Sequence, residues 1–472
     1  MREDLGDTIC AIATAAGEGG IGIVRLSGPD ALGIAGRVVR LRSGKSLSSV
    51  LTHSLHLADL VLPSTMDSNG DHGTDREAGI FDEALVVYMK APRSFTAEDL
   101  VEVHSHGGSV VLALLCEACV HAGARMAAPG EFTKRAFLNG RLDLSQAEAV
   151  LDTIRAKSAT GLRMAQRHLR GDLAREVGGA RSELLGVLAH VEAGIDFVEE
   201  DITFVQREEL ARAIEEAASV ITKLEATARD GRVLREGARV AIVGRTNVGK
   251  SSLMNRLVKE ERSIVTPIPG TTRDVIEESI DLDGVVVRFV DTAGMRDTTD
   301  PVEQEGMRRA QSVWADAALV VVVVDGHSPL TDDDRHLFKS AEGSNYIMAV
   351  NKGDLPQAIE MAELPAKADV LLISAKTGLG LETLKTAIRA RLVSPGFEVS
   401  ESLVVTNVRH RTALRRAQDS LAHASESVRN GLAGELVAMD LRVAADALGE
   451  ITGAITTDDI LEKIFSEFCI GK

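Results

Sequence analysis

The chain has 472 residues, a formal net charge of −17 and only 3% aromatic residues. Its length predicts two to four domains. The acidic balance and the scarce aromatic side chains argue against broad electrostatic binding or base stacking of nucleic acid, although a local basic face could still contact RNA. No apolar run reaches the roughly 20 residues of a membrane span, and the N-terminus lacks a secretion-signal layout, so we expect a cytoplasmic protein.

Residues 1–139 combine β-like runs, "IGIVRLSG" and "EALVVYMKAP", with Gly-rich turns and a predicted helix near 109–122. This mixture predicts an α+β domain. The "CEAC" pair at 116–119 lies in an apolar helical run, which favours core packing over a redox or metal site. The "HSH" triplet at 104–106 alternates along a strand that leads into two glycines, which again favours a structural role over a metal site.

Residues 140–236 and 395–472 are helix-rich. In the first block, "SQAE" at 145–148 has the spacing of a capping box and precedes apolar residues at helical intervals. In the second block, the last helix is predicted to start near "TTDD". Its apolar face comprises Ile460, Leu461, Ile464, Phe465 and Phe468.

Residues 237–394 alternate strands with helices, which predicts a parallel sheet covered on both faces, as in doubly wound α/β domains. The expected strands are "RVAIVG", "VVVRFVD", "ALVVVVVD", "YIMAVNK" and "VLLISAK". The simplest architecture is an α/β domain inserted into an all-α domain. The sequence does not show that the two helical blocks pack together.

The stretch "GRTNVGKSS" at 244–252 fits the phosphate-binding pattern G-x-x-x-x-G-K-[ST], between a strand and a predicted helix. The glycines let backbone N–H groups surround phosphate oxygens at a helix N-terminus. Lys250 is expected to reach the β- and γ-phosphates, and the Ser251 hydroxyl to bind Mg²⁺.

Four later motifs indicate guanine nucleotides specifically. "GTTRD" supplies Thr272 as a second Mg²⁺ ligand, and "DTAG" places Asp291 toward the metal. "NKGD" supplies Asn351 and Asp354, and the Asp354 carboxylate can accept hydrogen bonds from N1 and the exocyclic amino group of guanine. "SAK" at 374–376 completes the base pocket.

This segment resembles translation-factor-like small GTPases, with one departure. Ras-type proteins carry a glutamine after the glycine of "DTAG" to orient the attacking water, and here Met295 occupies that position. Methionine has no donor or strong acceptor for that task. Another group must position the water and spread the developing charge.

From end to end, the chain resembles the MnmE or TrmE family of tRNA modification GTPases. The residues that carry this resemblance are "IGIVRLSGPDA", "SFTAEDLVEVHSHGG", "PGEFTKRAFLNGRLDLSQAEAVLDTI", the GTPase motifs and the terminal "FCIGK". The resemblance implies an N-terminal folate-binding and dimerisation domain over 1–139, a helical domain over 140–236 and 395–472, and an inserted P-loop GTPase domain over 237–394.

The resemblance also implies GTPase domains that dimerise around K⁺, which takes the place of an arginine finger. The matching K⁺ positions are Asn247, Thr266, Ile268 and Thr271, and Glu303 matches a glutamate that orients the hydrolytic water through a second water. From residues alone, Glu303 reads as a solvated carboxylate at a helix start. The positions implied for GTP binding are Asn247, Val248, Gly249, Lys250, Ser251, Ser252, Thr266, Pro267, Ile268, Pro269, Gly270, Thr271, Thr272, Asp291, Thr292, Ala293, Gly294, Asn351, Lys352, Asp354, Ser374, Ala375 and Lys376.

The folate-contact positions of the family fall on Arg25, Glu102, Arg141 and Lys472. A carboxylate can accept from pterin N–H groups, and cations can hold the glutamate tail of a tetrahydrofolate derivative, either the 5,10-methylene or the 5-formyl form. Position 141 is lysine in many relatives, and the first loop, "TAAGEGG", departs from the family pattern at Glu18. Whether the two histidines of "HSH" line this pocket stays open.

The terminal "IFSEFCIGK" places a thiol and an ammonium together. Gly471 permits a turn, so that Lys472 can reach a folate site on a neighbouring domain or subunit. Cys469 lies on the apolar stripe of the last helix, so burial as a small apolar side chain and a required, mechanistically open role in RNA modification remain equal alternatives.

The expected function is that of a K⁺-dependent, Mg²⁺-requiring GTP hydrolase that modifies the wobble uridine, position 34, of certain tRNAs with a folate-supplied one-carbon unit. The resemblance implies a homodimer within a heterotetramer with the FAD-containing partner MnmG, also called GidA. Two alternatives are a regulatory GTPase switch in ribosome assembly and a folate enzyme with incidental GTPase activity. The folate-like N-terminal stretch and "FCIGK" argue against the first.

Overall fold

The structure, a computed structural model, describes residues 6–62, 79–196, 207–260, 278–291, 317–365, 369–394, 397 and 403–472. The chain folds as two compact units, Met1–Leu151 with Gly449–Lys472, and Asp152–Leu448. Among the helices described, none is long and apolar enough to cross a membrane.

The strands are numbered in chain order: β1 (Ile9–Ile12), β2 (Gly19–Ser27), β3 (Val39–Leu41), β4 (Leu55–Val61), β5 (Ile80–Met89), β6 (Leu100–Gly107), β7 (Arg125–Met126), β8 (Ala238–Val243), β9 (Glu278–Leu282), β10 (Val285–Asp291), β11 (Leu319–Asp325), β12 (Tyr346–Asn351) and β13 (Asp369–Leu372). The helices are α1 (Ala31–Val38), α2 (Ser109–His121), α3 (Glu131–Leu138), α4 (Leu144–Arg155), α5 (Ala159–Leu169), α6 (Asp172–Asp196), α7 (Arg207–Ala226), α8 (Ala228–Glu236), α9 (Lys250–Glu260), α10 (Asp332–Ala341), α11 (Leu381–Leu392), α12 (Val408–Arg429), α13 (Gly434–Thr452) and α14 (Asp458–Ser466). Short 3-10 turns cover Leu47–Ser49 and Met361–Glu363.

The first unit contains a sheet of order β3-β4-β5-β6-β2-β1-β7, in which every pairing is antiparallel except that of β1 with β7. Side chains alternate between the two faces of each strand. On β2, Val24 and Leu26 are buried in the core, so Arg25 lies on the opposite face. On β6, Glu102 lies directly opposite Arg25 in the register. The pleat therefore sets a charged pair on the face of the sheet opposite Val24 and Leu26.

Helix α2 confirms the structural interpretation of the "CEAC" pair. Cys116 and Cys119 are both buried among the apolar residues packed under the sheet. Burial raises the pKa of the Cys116 thiol to about 11, so it stays protonated at neutral pH. Within the described ranges, no group of three or more His, Cys, Asp or Glu side chains is arranged to hold a metal ion.

Helix α4 begins two residues earlier than the predicted capping box requires. The Asp143 carboxylate accepts from the Gln146 N–H at 2.9 Å, and the Gln146 side chain accepts from the Asp143 N–H at 2.9 Å. The reciprocal cap is therefore "DLSQ" at 143–146, and the prediction of "SQAE" was wrong. Asp143 is the N-cap because it directly precedes the first helical residue, Leu144, whereas Ser145 already lies inside the helix.

Helix α14 confirms the predicted terminal helix. Leu461, Phe465 and Phe468 pack with Leu144 and Leu151 of α4 in one apolar cluster, and the two phenylalanine rings lie 5.8 Å apart. The fit is close at the N-terminal end of α3, where a Cβ built at Gly130 would lie 2.5 Å from the Phe465 carbonyl oxygen. The last helix therefore belongs to the core of the first unit.

The second unit contains a sheet of order β13-β12-β11-β8-β10-β9. All five predicted strands are present and parallel, which confirms the doubly wound α/β fold. The sequence interpretation missed β9, which pairs antiparallel with β10 at the edge. Its sequence, "ESIDL", buries Ile280 and Leu282 on one face and so lacks the continuous apolar run of a strand buried on both faces.

Helices from both sides of the α/β segment pack together in the second unit. The Glu225 carboxylate on α7 accepts from Arg411 at 3.2 Å and from Arg415 at 2.8 Å, both on α12. Arg181 on α6 donates to the Ala445 carbonyl on α13 at 3.1 Å. These contacts confirm the multidomain combination of α/β and helical parts. The predicted three-domain boundaries stay a prediction.

Helix α8 approaches the segment before α12 so closely that it needs glycine. A Cβ built at Gly231 would lie 2.1 Å from the Val405 carbonyl oxygen. Replacing Gly231 with Ala should therefore destabilise the protein by about 1–3 kcal/mol through overpacking. The measurement is the thermal unfolding midpoint, followed by circular dichroism.

The matched control is Gly179→Ala in α6, where an added Cβ would meet no atom within 4 Å. This substitution should raise the midpoint, because alanine in a helix interior is favoured over glycine by about 0.5–1 kcal/mol. If the Gly231→Ala protein unfolded at the same temperature as the Gly179→Ala protein, the close contact would carry no energetic weight.

Candidate functional site

The predicted phosphate-binding loop runs from the end of β8 to the start of α9. Its backbone has positive φ at Gly244, Asn247 and Gly249. A Cβ at Gly244 would lie 2.3 Å from the Val323 carbonyl oxygen, and one at Gly249 would lie 2.3 Å from the Asn351 amide nitrogen. Glycine is therefore required at both positions by close neighbours as well as by φ.

Lys250 is held within the loop that it serves. Its Nζ donates to the carbonyl oxygens of Gly244, at 2.8 Å, and Arg245, at 2.7 Å, and the residue is only 8% exposed. Ser251 and Ser252 follow in the first turn of α9. The loop thus curls around an ammonium group at a helix N-terminus, an arrangement that favours anions.

Asn351 joins the phosphate loop to the predicted base pocket. Its amide nitrogen donates to the Val248 carbonyl at 2.8 Å, and its amide oxygen accepts from the Ala375 N–H at 2.9 Å. Asn351 is 2% exposed, so both contacts are shielded from water. One side chain therefore connects two of the sequence motifs.

Asp354 lies at the open side of this pocket. Its carboxylate accepts from the Ser374 hydroxyl at 2.6 Å, and that bond, more than the Asp354 backbone N–H or the charge of Lys376, lowers the pKa of the Asp354 carboxyl group. Lys352, which has a φ of 65°, pairs with Asp325 at 2.5 Å. Asp354 is thus kept ionised and able to accept hydrogen bonds.

Several predicted nucleotide residues lie outside the described residues. They are Thr266, Pro267, Ile268, Pro269, Gly270, Thr271, Thr272, Thr292, Ala293, Gly294 and Glu303. Met295 lies there too, and of Asp291 only the backbone, at the end of β10, is described. The structure brings together the phosphate loop and the base pocket among the described motifs.

The four predicted folate positions gather in the first unit. The Arg25 guanidinium donates to one Glu102 oxygen through Nε at 2.9 Å and Nη2 at 2.7 Å, and both side chains are 15% exposed. His104 contacts the other Glu102 oxygen at 3.2 Å. His106 instead pairs with Asp82 at 2.7 Å and is largely exposed. Of the two histidines, the structure places His104 at the cluster.

Lys472 reaches this cluster through the turn at Gly471, which has a φ of 92°. A Cβ at Gly471 would lie 2.1 Å from the Ile12 carbonyl oxygen, so only glycine permits the approach. Arg25 also donates to the Gly471 carbonyl, at 3.5 Å. Burial and then the charge of Arg25 lower the pKa of the Lys472 ammonium, which Glu102 partly offsets.

Phe95 is the residue that the sequence analysis missed. The guanidinium groups of Arg25 and Arg141 lie 5.5 and 5.3 Å from the centre of its ring, and Arg25 lies 5.6 Å from the Phe132 ring. Phe95 and Arg141 line a cavity of about 660 Å³. The chain has 11 phenylalanines, and the sequence signal that could have singled out Phe95 is its position inside the family segment "SFTAEDL".

Cys469 is exposed, whereas the other three cysteines, Cys10, Cys116 and Cys119, are buried. Its thiol therefore does not pack into the apolar face of α14, and the alternative of core burial is wrong. Its carbonyl accepts from the Lys472 N–H at 3.3 Å and the Gly130 N–H at 3.5 Å. The backbone fixes the terminal turn and leaves the sulfur at the surface.

Comparisons with known proteins agree along the whole chain. A family model described as "MnmE helical domain" matches residues 144–469, and one described as "GTP-binding protein TrmE N-terminus" matches residues 8–141. The tRNA modification GTPase MnmE of Symbiobacterium thermophilum is 48% identical over 99% of both chains. Those of Heliobacterium modesticaldum and Chloroflexus aurantiacus are 46% and 48% identical over 99% of this chain and 100% of theirs. The chain belongs to the MnmE family of tRNA modification GTPases.

The Arg25–Glu102 pair predicts a pH-dependent stability. Burial alone would raise the pKa of the Glu102 carboxyl group, but the charge and hydrogen bonds of Arg25 lower it overall below 4.5. A lowered pKa in the folded state means that the pair stabilises the fold above that ordinary value and loses its effect as pH falls through the folded-state pKa.

Replacing Glu102 with Gln should therefore cost about 1.5–3 kcal/mol at pH 7, the range for a hydrogen bond to a charged group. The difference in thermal midpoint from the unchanged protein should shrink as the pH is lowered below 4.5. Glu117→Gln, at an exposed position of α2 in the same unit, is the matched control. A constant deficit across the pH range would show that Arg25 does not stabilise the Glu102 carboxylate.

Proposed function

We propose that this protein is a K⁺-dependent, Mg²⁺-requiring GTPase that acts in tRNA modification, with a tetrahydrofolate derivative supplying the one-carbon unit for a wobble uridine. The observation that carries the proposal is the union of two sites in one chain. A phosphate loop joined by Asn351 to a guanine pocket lies in the second unit, and a cationic cluster at Glu102 lies in the first. Membership of the MnmE family supplies the connection to tRNA.

In the nucleotide site, the Asp354 carboxylate accepts hydrogen bonds from N1–H and the exocyclic amino group of guanine. Adenine has an acceptor at N1 and would not offer these bonds. The low pKa of the Asp354 carboxyl group supports that role. Lys250 exchanges its two carbonyl partners for phosphate oxygens. Because both partners are neutral carbonyl groups, the exchange leaves no buried charge unpaired. Val248, Gly249 and Ser252 supply backbone N–H groups to the phosphates.

Two cations are proposed at the phosphates. The hydroxyls of Ser251 and Thr272 would hold Mg²⁺, and the Asn247 side chain, with Thr266, Ile268 and Thr271, would hold K⁺. Asn247 fits this role, because its side chain offers an amide oxygen as a ligand and asparagine tolerates the left-handed backbone found there. Positive charge beside the phosphates would offset the negative charge that develops during phosphoryl transfer. Glu303 is proposed to orient the attacking water.

In the first unit, the charges and the aromatic ring fit a folate. Arg25 and Lys472 bring two positive charges to one carboxylate, Glu102, and Arg141 shares the Phe95 ring with Arg25, in a chain whose net charge is −17. A ligand that carries carboxylates balances that surplus. The Phe95 ring lies under the Arg25 guanidinium and lines, with Arg141, a cavity of about 660 Å³, which suits a flat, hydrogen-bonding ring system.

We further propose a homodimer that works with a FAD-containing partner, MnmG, in a heterotetramer. Cys469 is a candidate catalytic residue, since its exposed sulfur lies next to the terminal turn that presents Lys472. A GTPase switch in ribosome assembly would need neither this turn nor the Glu102 cluster, so no observation favours that alternative.

GTP turnover should be several times faster in KCl than in NaCl at equal ionic strength, because K⁺ is proposed to spread charge at the transferred phosphoryl group. Phosphate release measured in the two salts checks this. An Asn247→Ala variant should lose the difference between the salts. Equal rates in both salts for the unchanged protein would remove K⁺ from the mechanism.

A Lys472→Ala substitution should weaken binding of 5-formyltetrahydrofolate while GDP affinity stays unchanged, because the ammonium lies at the Glu102 cluster and in a different unit from the phosphate loop. Equilibrium titration of each ligand measures this. The control is Lys463→Ala, an exposed lysine of α14. In cells, the Lys472→Ala variant should also lower modified wobble uridine, measured by mass spectrometry of tRNA. Unchanged folate titrations would refute the assignment of Lys472.

A further inference from the structure

The second residue of the phosphate loop, Arg245, is joined to a helix outside the nucleotide motifs. Its Nε lies 3.3 Å from a carboxylate oxygen of Asp334, the third residue of α10. The Asp334 side chain is 3% exposed and the Arg245 side chain 28%. An ion pair therefore connects the phosphate loop to α10.

Asp334 also caps its own helix. The same oxygen that faces Arg245 accepts from the Thr331 N–H at 2.9 Å and the Thr331 hydroxyl at 2.8 Å. The other oxygen is buried and has no hydrogen-bond donor among the described residues. A carboxylate so buried needs a cation, and breaking such a pair leaves an uncompensated charge. Arg245 supplies that cation, and because its Nε makes no hydrogen bond among the described residues, charge attraction holds the guanidinium at Asp334.

The backbone of Arg245 is itself part of the phosphate loop. Its carbonyl oxygen accepts from the Lys250 ammonium at 2.7 Å, and two residues later Asn247 adopts a φ of 63°. Fixing the Arg245 side chain therefore fixes the backbone that leads into this left-handed turn. We propose that Arg245 is a positioning residue, which holds the first half of the phosphate loop in its nucleotide-binding conformation through the ion pair with Asp334.

The test compares nucleotide affinity in Arg245→Ala, in Asp334→Asn and in the double variant of the full-length chain. If release of the loop leaves about one tenth of the molecules competent to bind, the apparent Kd for a fluorescent GDP analogue should rise about tenfold in each single variant. The double variant should bind no more weakly than either single variant, because both changes break one interaction. The double variant also leaves no buried charge without a partner, so it still tests the proposal if Arg245→Ala alone fails to fold.

Two further variants separate positioning from general stability. Thr331→Ala removes a donor from the same carboxylate but leaves the ion pair intact, so it should lower the thermal midpoint with an unchanged Kd. Arg245→Lys keeps the charge and should restore part of the affinity.

The proposal would be overturned if Asp334→Asn bound GDP normally while Arg245→Ala did not, since Arg245 would then act on the phosphate directly. It would be overturned equally if Thr331→Ala weakened GDP binding as much as Arg245→Ala, because loss of helix stability would then explain both effects.

Discussion

A single buried amide determines the geometry of the nucleotide site. The Asn351 side chain satisfies the Val248 carbonyl and the Ala375 N–H, and it fills the space that a Cβ at Gly249 would need. Buried polar groups are expensive unless they are paired, so loss of either contact would be costly. The phosphate loop and the base-recognition turn are therefore held at a fixed separation before any nucleotide arrives.

In the first unit, a shielded ion pair rather than a buried amide holds the candidate site together. Arg25 and Glu102 face each other across two neighbouring strands, and the pair is largely shielded from water. Desolvation makes such a pair costly unless further hydrogen bonds satisfy its atoms. His104 and the Gly471 carbonyl supply those bonds, and Lys472 adds a second positive charge. Arg25, Glu102 and Lys472 therefore form one charged cluster that is largely shielded from water.

The two sites differ in how far the sequence predicted them. The phosphate loop and base pocket follow from short contiguous motifs, because each motif occupies one strand end of the predicted sheet and the ends of parallel strands meet at one edge. The cluster at Arg25 joins residues up to 447 positions apart, counting from position 25 to position 472, so local spacing carries no signal for it. Resemblance to the family supplied those positions, but not Phe95, whose part depends on ring distances.

The errors in secondary structure fall where the local sequence pattern is weak or fits more than one position. The edge strand β9 was missed because its sequence carries little of the apolar pattern that marks the buried strands beside it. The capping box was placed two residues late because Asp143 and Ser145 both fit the pattern, and only the observed hydrogen bonds distinguish them. Exposure of Cys469 depends on where α14 ends, and helix ends are poorly determined by periodicity.

The insertion of the α/β segment is fixed at both crossings and at one further point. Where the chain leaves the segment, the Ser394 N–H donates to the buried Asp230 carboxylate at 3.2 Å; where it enters, a Cβ at Gly237 would lie 2.7 Å from the Val286 carbonyl oxygen. The turn between β9 and β10 then packs against α5, because the Ser158 hydroxyl donates to the Gly284 carbonyl at 3.1 Å. Strand β10 runs directly from that turn to Asp291, the residue predicted beside the metal. One uninterrupted strand thus connects the end of the sheet that carries Asp291 with the helical part, so a shift of β10 along its axis could not occur without straining the contact at α5.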